Sequence, residues 1–202
     1  ALLRGNTAAL LVIFASLAAI GRADDCMVVA AGGQDLKIES YGPNAIRVRA
    51  VPKGGTFRDD LVSALVPQAA DDGTRPCPNL ELNVDGGATN LTNGNLNVAM
   101  DADGKLVFTR VSDKQVLLRE KIVRQLSPTT TTPPLPGFLS LDLHFEAVDG
   151  ERIYGLGQHK TGKLDNRDVK GLNLNPHNTE ILIPVAHSSE GYSFLFNLPS
   201  FG

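Results

Sequence analysis

The chain has 202 residues, 42% of them hydrophobic and 20% charged, which is enough apolar material for one globular domain with a substantial core. Nineteen Lys plus Arg stand against 22 Asp plus Glu, a formal net charge of −3 with no run of like sign, and this argues against the clustered basic face of a nucleic-acid binder. Twenty Gly and 12 Pro, with no Trp, point to frequent turns and an all-β fold, because Gly and Pro are costly inside helices.

At the start of the chain, Arg4 precedes an almost unbroken apolar run over residues 8–20, and Gly21-Arg22-Ala23 closes it with small residues at the spacing of a cleavage site. Residues 1–23 therefore read as a signal peptide of a secreted protein, the run being short of the roughly 20 apolar residues that a membrane span needs. Export suits Cys26 and Cys77, a pair that an oxidising compartment would bridge. Their loop of about 50 residues would be worth roughly 4 kcal/mol. Two thiols without a second Cys pair or a His pair are too few for a closed zinc site, and no metal is expected. Asn90-Leu91-Thr92 is a sequon among turn-forming residues, open to glycosylation in a eukaryotic secretory pathway.

From residue 36 onward the pattern is one of short alternating segments. Residues 36–39 and 45–49 alternate at period two on either side of the Gly42-Pro43-Asn44 turn, so each reads as a strand with one buried face. Residues 95–100 and 105–110 flank Asp101-Ala102-Asp103-Gly104, whose Asp-Gly supplies the positive φ of a tight hairpin. Residues 115–118 and 122–126 are weaker strands, the second also compatible with a short helix. A Thr/Pro tract over residues 127–136 reads as an exposed loop between strands. Residues 139–146 alternate most cleanly, with Leu139, Leu141, Leu143 and Phe145 on one face. Residues 181–185 and 192–196 are continuously apolar, as expected of strands covered on both faces. The sum is one antiparallel β-sandwich over residues 24–202 with about 11–13 strands.

Motifs for catalysis are missing. There is no Gly-x-Ser-x-Gly elbow, and Gly155-Leu156-Gly157 lacks the third Gly and following helix of a dinucleotide fingerprint, so no cofactor is expected. His144, His159, His177 and His187 share no metal-binding spacing. Residues 155–178 are dense in His, Asn, Asp, Lys and Arg with little to form a core, and read as a long polar loop. Paired donors and acceptors of this kind suit sugar hydroxyls, and they suit a solvated connection equally well.

Three motifs in order, Glu151-Arg152-Ile153-Tyr154-Gly155-Leu156-Gly157-Gln158-His159, Asn178-Thr179-Glu180-Ile181-Leu182-Ile183-Pro184 and Ser188-Ser189-Glu190-Gly191-Tyr192 with Asn197, resemble the N-terminal domain of glycoside hydrolase family 31. Asn44-Ala45-Ile46-Arg47-Val48-Arg49-Ala50 is similar to that family's early strand. The resemblance implies a galactose-mutarotase-like sandwich, incomplete at its C-terminal end, whose intramolecular partner is a (β/α)8 barrel that carries both catalytic aspartates and acts on an α-linked oligosaccharide or glycoside. No catalytic residue falls within this chain on that basis. It further implies that the polar loop borders the sugar site, with Asp168, His177 and Asn178 as substrate-lining candidates. A stand-alone sugar-binding module is the rival reading, weakened by the lack of Trp, and an aldose 1-epimerase is a third, without a visible His/Glu motif. Glucose and xylose specificity are not separable from these residues.

Overall fold

The computed structural model describes residues 2–4, 9–15, 26–58, 79–80, 89–128, 138–172 and 178–197. They contain fifteen strands and no helix. Eight form one sheet in the order β13 (Ile153–Gln158), β14 (Ile181–Ser188), β15 (Tyr192–Phe196), β2 (Ala9–Ala15), β5 (Ala45–Pro52), β4 (Gln34–Ser40), β3 (Cys26–Ala31) and β6 (Asn79–Leu80). Four more, β10 (Val116–Arg119), β9 (Leu106–Arg110), β8 (Leu96–Met100) and β7 (Thr89–Asn93), make a second sheet. The third is β1 (Leu2–Arg4), β12 (Phe138–Asp142) and β11 (Gln125–Pro128). Pairing is antiparallel throughout except for β3 with β6. The all-β sandwich is as the sequence implies, with more strands than the 11–13 expected, two of them in the segment read as a signal peptide.

The core lies between the eight- and four-stranded sheets. Leu36 and Ile38 of β4 and Ile46, Val48 and Ala50 of β5 face Leu96, Val98 and Met100 of β8 and Leu106 and Phe108 of β9, all buried. The period-two alternation explains this, since alternate residues leave the same face of a pleated strand. On the opposite face of β4 and β5 a cluster of charges is buried as well. Glu39 accepts from Arg47 Nε at 2.8 Å and Arg49 Nη2 at 3.2 Å, with Lys37 Nζ at 2.9 Å. Burial opposes charge on Glu39, but the hydrogen bond from Arg47 and the charges of Arg49 and Arg47 outweigh it and hold its carboxyl below the usual range.

Turns follow the residues that demand them. Asp101 Oδ1 accepts from the amides of Asp103 and Lys105, while Gly104 takes a φ of 83°. The turn before β5 places Asn44 at a φ of 57°, where its Oδ1 accepts from Asn95 N at 2.6 Å. Asn93 Nδ2 donates to the carbonyls of Gly42 and Ala45, so this turn also joins the two sheets.

Four expectations need correction. Residues 139–146 do not form one strand: β12 ends at Asp142, and Phe145 makes only an isolated bridge to Glu120. Residues 122–126 are neither strand nor helix throughout, since β11 starts at Gln125; ahead of it the chain bends to bury Arg124 against Glu120 at 3.0 Å. In β14 the outer face is open, with Ile181 at 57% and Ile183 at 50% exposure, so that strand is not covered on both sides. The sequon residue Asn90 lies exposed in strand β7, not in a turn. Cys26 opens β3 and is disulfide-bonded. Cys77 lies outside the described residues.

Candidate functional site

The loop that the sequence marks as polar starts from a distorted edge. Strand β13 carries Gly155, Leu156 and Gly157 at φ of 95°, 64° and 101°, and its register to β14 shifts between Gly155 and Gly157. This is a β-bulge. A Cβ on Gly157 would fall inside the carbonyl oxygen of Ile181, and one on Gly155 would crowd the carbonyl of Val185. Both glycines therefore let two backbones meet. The loop proper begins at His159, whose Nε2 lies 2.8 Å from the carbonyl of Leu156.

Glu151 anchors the loop to the sandwich. It is 7% exposed, and its Oε1 accepts from Tyr192 OH at 2.7 Å and Ser188 Oγ at 2.5 Å. Arg167 Nη1 donates to the Glu151 carbonyl at 2.9 Å and lies 3.5 Å from its Oε2. The Tyr192 phenol is pushed up, first by burial and then by its hydrogen bond to the Glu151 carboxylate and that group's charge, so it stays a neutral donor. Asp165 Oδ1 accepts from the amides of Arg167 and Ile153, which holds its carboxyl below the usual range. Asn166 adds backbone and side-chain bonds to the carbonyls of Ile153 and Gly155. Residues 165–167 are thus stitched to β13, and Asp168 stands exposed on the turn immediately after them.

Beside that turn lies an open cleft of about 260 Å3 lined by His159, Lys160, Thr161, Val169, Lys170, Gly171, Leu172 and Glu180. Of the three substrate-lining candidates, Asp168 and Asn178 are exposed and do not line the cleft, while His177 lies outside the described residues. Lys160, Lys170 and Glu180 are the lining groups that the sequence reasoning did not single out. Lys160 and Lys170 lie within the polar run of residues 155–178, and Glu180 within the motif that begins at Asn178. Among the described residues no cluster of three or more His, Cys, Asp or Glu could hold a metal, and no helix is long and apolar enough to cross a membrane.

Residues 35–197 match the family model described as the glycosyl hydrolase 31 N-terminal galactose mutarotase-like domain. The chain belongs to this family. An uncharacterized family 31 glucosidase of Pseudescherichia vulneris is 30% identical over 190 residues, covering 84% of this chain and 34% of that protein. α-Xylosidase A of Aspergillus niger is 26% identical over 196 residues, covering 85% of this chain and 25% of that protein. An α-xylosidase of Saccharolobus solfataricus is 39% identical over 71 residues, or 31% of this chain and 10% of that protein. The chain thus spans about a third or less of the curated relatives it matches. No solved structure gives a significant match. In this family 31 domain the motifs behind the resemblance are mostly architectural. Glu151, Ser188 and Tyr192 form one buried network, Arg152 and Ser189 exchange backbone and hydroxyl bonds, and Glu190 ties the β14–β15 turn to Arg110 and Gln115 of the other sheet.

Proposed function

We propose that the chain is the non-catalytic N-terminal sandwich of a secreted retaining α-glycosidase, an α-glucosidase or α-xylosidase, in which it packs on a (β/α)8 barrel and lends the loop of residues 159–178 to the substrate site. Asp168, His177 and Asn178 face the sugar in that arrangement, Cys26 pairs with Cys77, Asn90 carries the glycan and residues 1–23 are removed on export. The carrying observation is the family match over residues 35–197 in a chain that covers only 34% and 25% of its named glycosidase relatives.

The carboxylates support a non-catalytic role. A retaining mechanism needs two carboxyl groups about 5–5.5 Å apart across the glycosidic bond. Among the described residues, the buried Glu39, Glu120 and Glu151 are each committed to an arginine or a hydroxyl, and the cleft is lined by a single carboxylate, Glu180. An open cleft of this size also buries too little of a sugar to bind it tightly alone.

The test compares residues 24–202 with the same chain continued through its downstream coding sequence. Aryl α-glucosides and α-xylosides should be untouched by the first and hydrolysed by the second, where Asp168→Ala raises KM about tenfold, the cost of one lost hydrogen bond to a charged group. Hydrolysis by the short chain that survives repurification would overturn the proposal; an unchanged Asp168→Ala enzyme would overturn the loop's role alone.

A further inference from the structure

Among the described residues β13 ends the large sheet, with β14 as its one strand neighbour. Alternate residues of an antiparallel strand turn both backbone groups to the same side, and on an edge strand every second residue has no ladder partner. Asp165 and Asn166 supply that partner for β13. Asp165 Oδ1 accepts from Ile153 N at 3.1 Å, Asn166 N donates to the Ile153 carbonyl at 2.7 Å, and Asn166 Nδ2 donates to the Gly155 carbonyl at 3.2 Å. The chain leaves β13 at Gln158, doubles back as far as Ile153 and there closes the edge with two residues in place of a further strand.

The same two residues lead into the cleft. Asp165 Oδ1 also accepts from Arg167 N at 3.0 Å, and the Asn166 carbonyl accepts from Val169 N at 3.1 Å, so residues 165–169 form one tight turn. Val169 begins one wall of the cleft, residues 169–172. The other wall comes from residues 159–161 and Glu180, where Lys160 N donates to Glu180 Oε1 at 3.3 Å. We infer that Asp165 and Asn166 are positioning residues: by clasping the edge of β13 they set where residues 169–172 stand against the second wall, and so hold the loop in the geometry that takes substrate. This rests on the reading of the loop as part of a substrate site. Neither residue lines the cleft; both act through the turn to Val169. Without the clasp the loop samples other positions, and apparent affinity falls with the fraction left in the competent one.

The test uses the full-length enzyme carrying Asp165→Ala, Asp165→Asn or Asn166→Ala. Asn at position 165 keeps an oxygen that can accept both amides, and Ala does not. Hydrogen exchange in peptides covering Ile153 and Arg167 should speed about tenfold in Asp165→Ala and stay near the parent in Asp165→Asn. KM for aryl α-glucosides or α-xylosides should rise about tenfold in Asp165→Ala with kcat within about twofold, and Asp165→Asn should restore most of the loss. Plain destabilisation would lower the active fraction, and with it kcat, while leaving KM alone. Unchanged exchange in Asp165→Ala overturns the clasp, and faster exchange with unchanged KM overturns the positioning role. Should Asp165→Ala not fold, Asn166→Ala removes only the side-chain bond to the Gly155 carbonyl and decides the same two points from exchange at Ile153 and Val169 and from KM. A full-length parent inactive on both substrates refutes the proposed function instead, and exchange then still decides the clasp.

Discussion

Tyr192→Phe removes one oxygen from the network that ties the polar loop to the sandwich and leaves the ring in the core. Tyr192 is 3% exposed, and its hydroxyl donates at 2.7 Å to the buried Glu151 carboxylate. A hydrogen bond to a charged group is worth about 1.5–3 kcal/mol. Ser188 Oγ and Arg167 remain as partners of the carboxylate, so a loss near 2 kcal/mol is expected, or roughly 4–8 °C in Tm for a domain of this size. Thermal unfolding of Tyr192→Phe, Glu151→Gln and the double variant completes a cycle. The coupling should exceed about 1 kcal/mol, because both changes act on one bond. The phenol supplies a second readout: since burial and Glu151 both disfavour its ionisation, no phenolate absorbance from Tyr192 should appear before alkaline unfolding. A Tyr192→Phe variant within about 0.5 kcal/mol of the parent, or a coupling near zero, refutes the claim that this bond anchors the loop.

Acid should weaken the fold partly through Glu39. Its carboxyl is held below the usual range, so its contribution is complete above the unfolded value of about 4.3 and is lost as pH falls from there through the folded value. Glu120, raised by burial, slopes the opposite way, and the Glu39 effect is therefore read as the difference between parent and Glu39→Gln in urea unfolding from about pH 6 to pH 3. The difference should shrink toward low pH; a constant difference would contradict it. Gly157→Ala should cost about 2–4 kcal/mol, because the new Cβ meets a carbonyl oxygen as well as a strained φ, whereas Gly162→Ala, with φ of 67° and open space, should cost only about 1 kcal/mol. Equal Tm losses would remove the close approach as an explanation.

Local chemistry carried the parts of the fold that the sequence displays. Asp101 to Gly104 form the expected turn because an Asp side chain and a Gly at positive φ close it without outside help. Leu141 and Phe145 are both packed inward, as the alternation implies, but alternation says nothing about whether a neighbouring strand is there to pair. At Arg124 the adjacent segment turns away to bury a charge, and β12 stops. The same limit applies to β14, where apolar residues suggested cover on both faces and Ile181 and Ile183 stand half exposed.

Partner identity also decides what was illegible at the site. Glu151 meets Ser188 and Tyr192 across 37 and 41 residues, and nothing near Glu151 in the sequence marks it as their acceptor. The motifs were recognisable as strings, yet their role as a buried clamp emerges only when β13 and β15 flank β14. The apolar run of residues 8–20 is the sharpest case. A stretch apolar on alternating and adjacent positions alike satisfies an export machinery and also satisfies a central strand covered on both faces, because both environments select against charge and neither needs a side-chain partner. Which of the two it serves depends on what else competes for the edges of β5 and β15. That competition is a property of the whole chain, so no window of sequence around residues 8–20 contains the answer, while hydrogen exchange at β5 and β15 measured with and without those residues does.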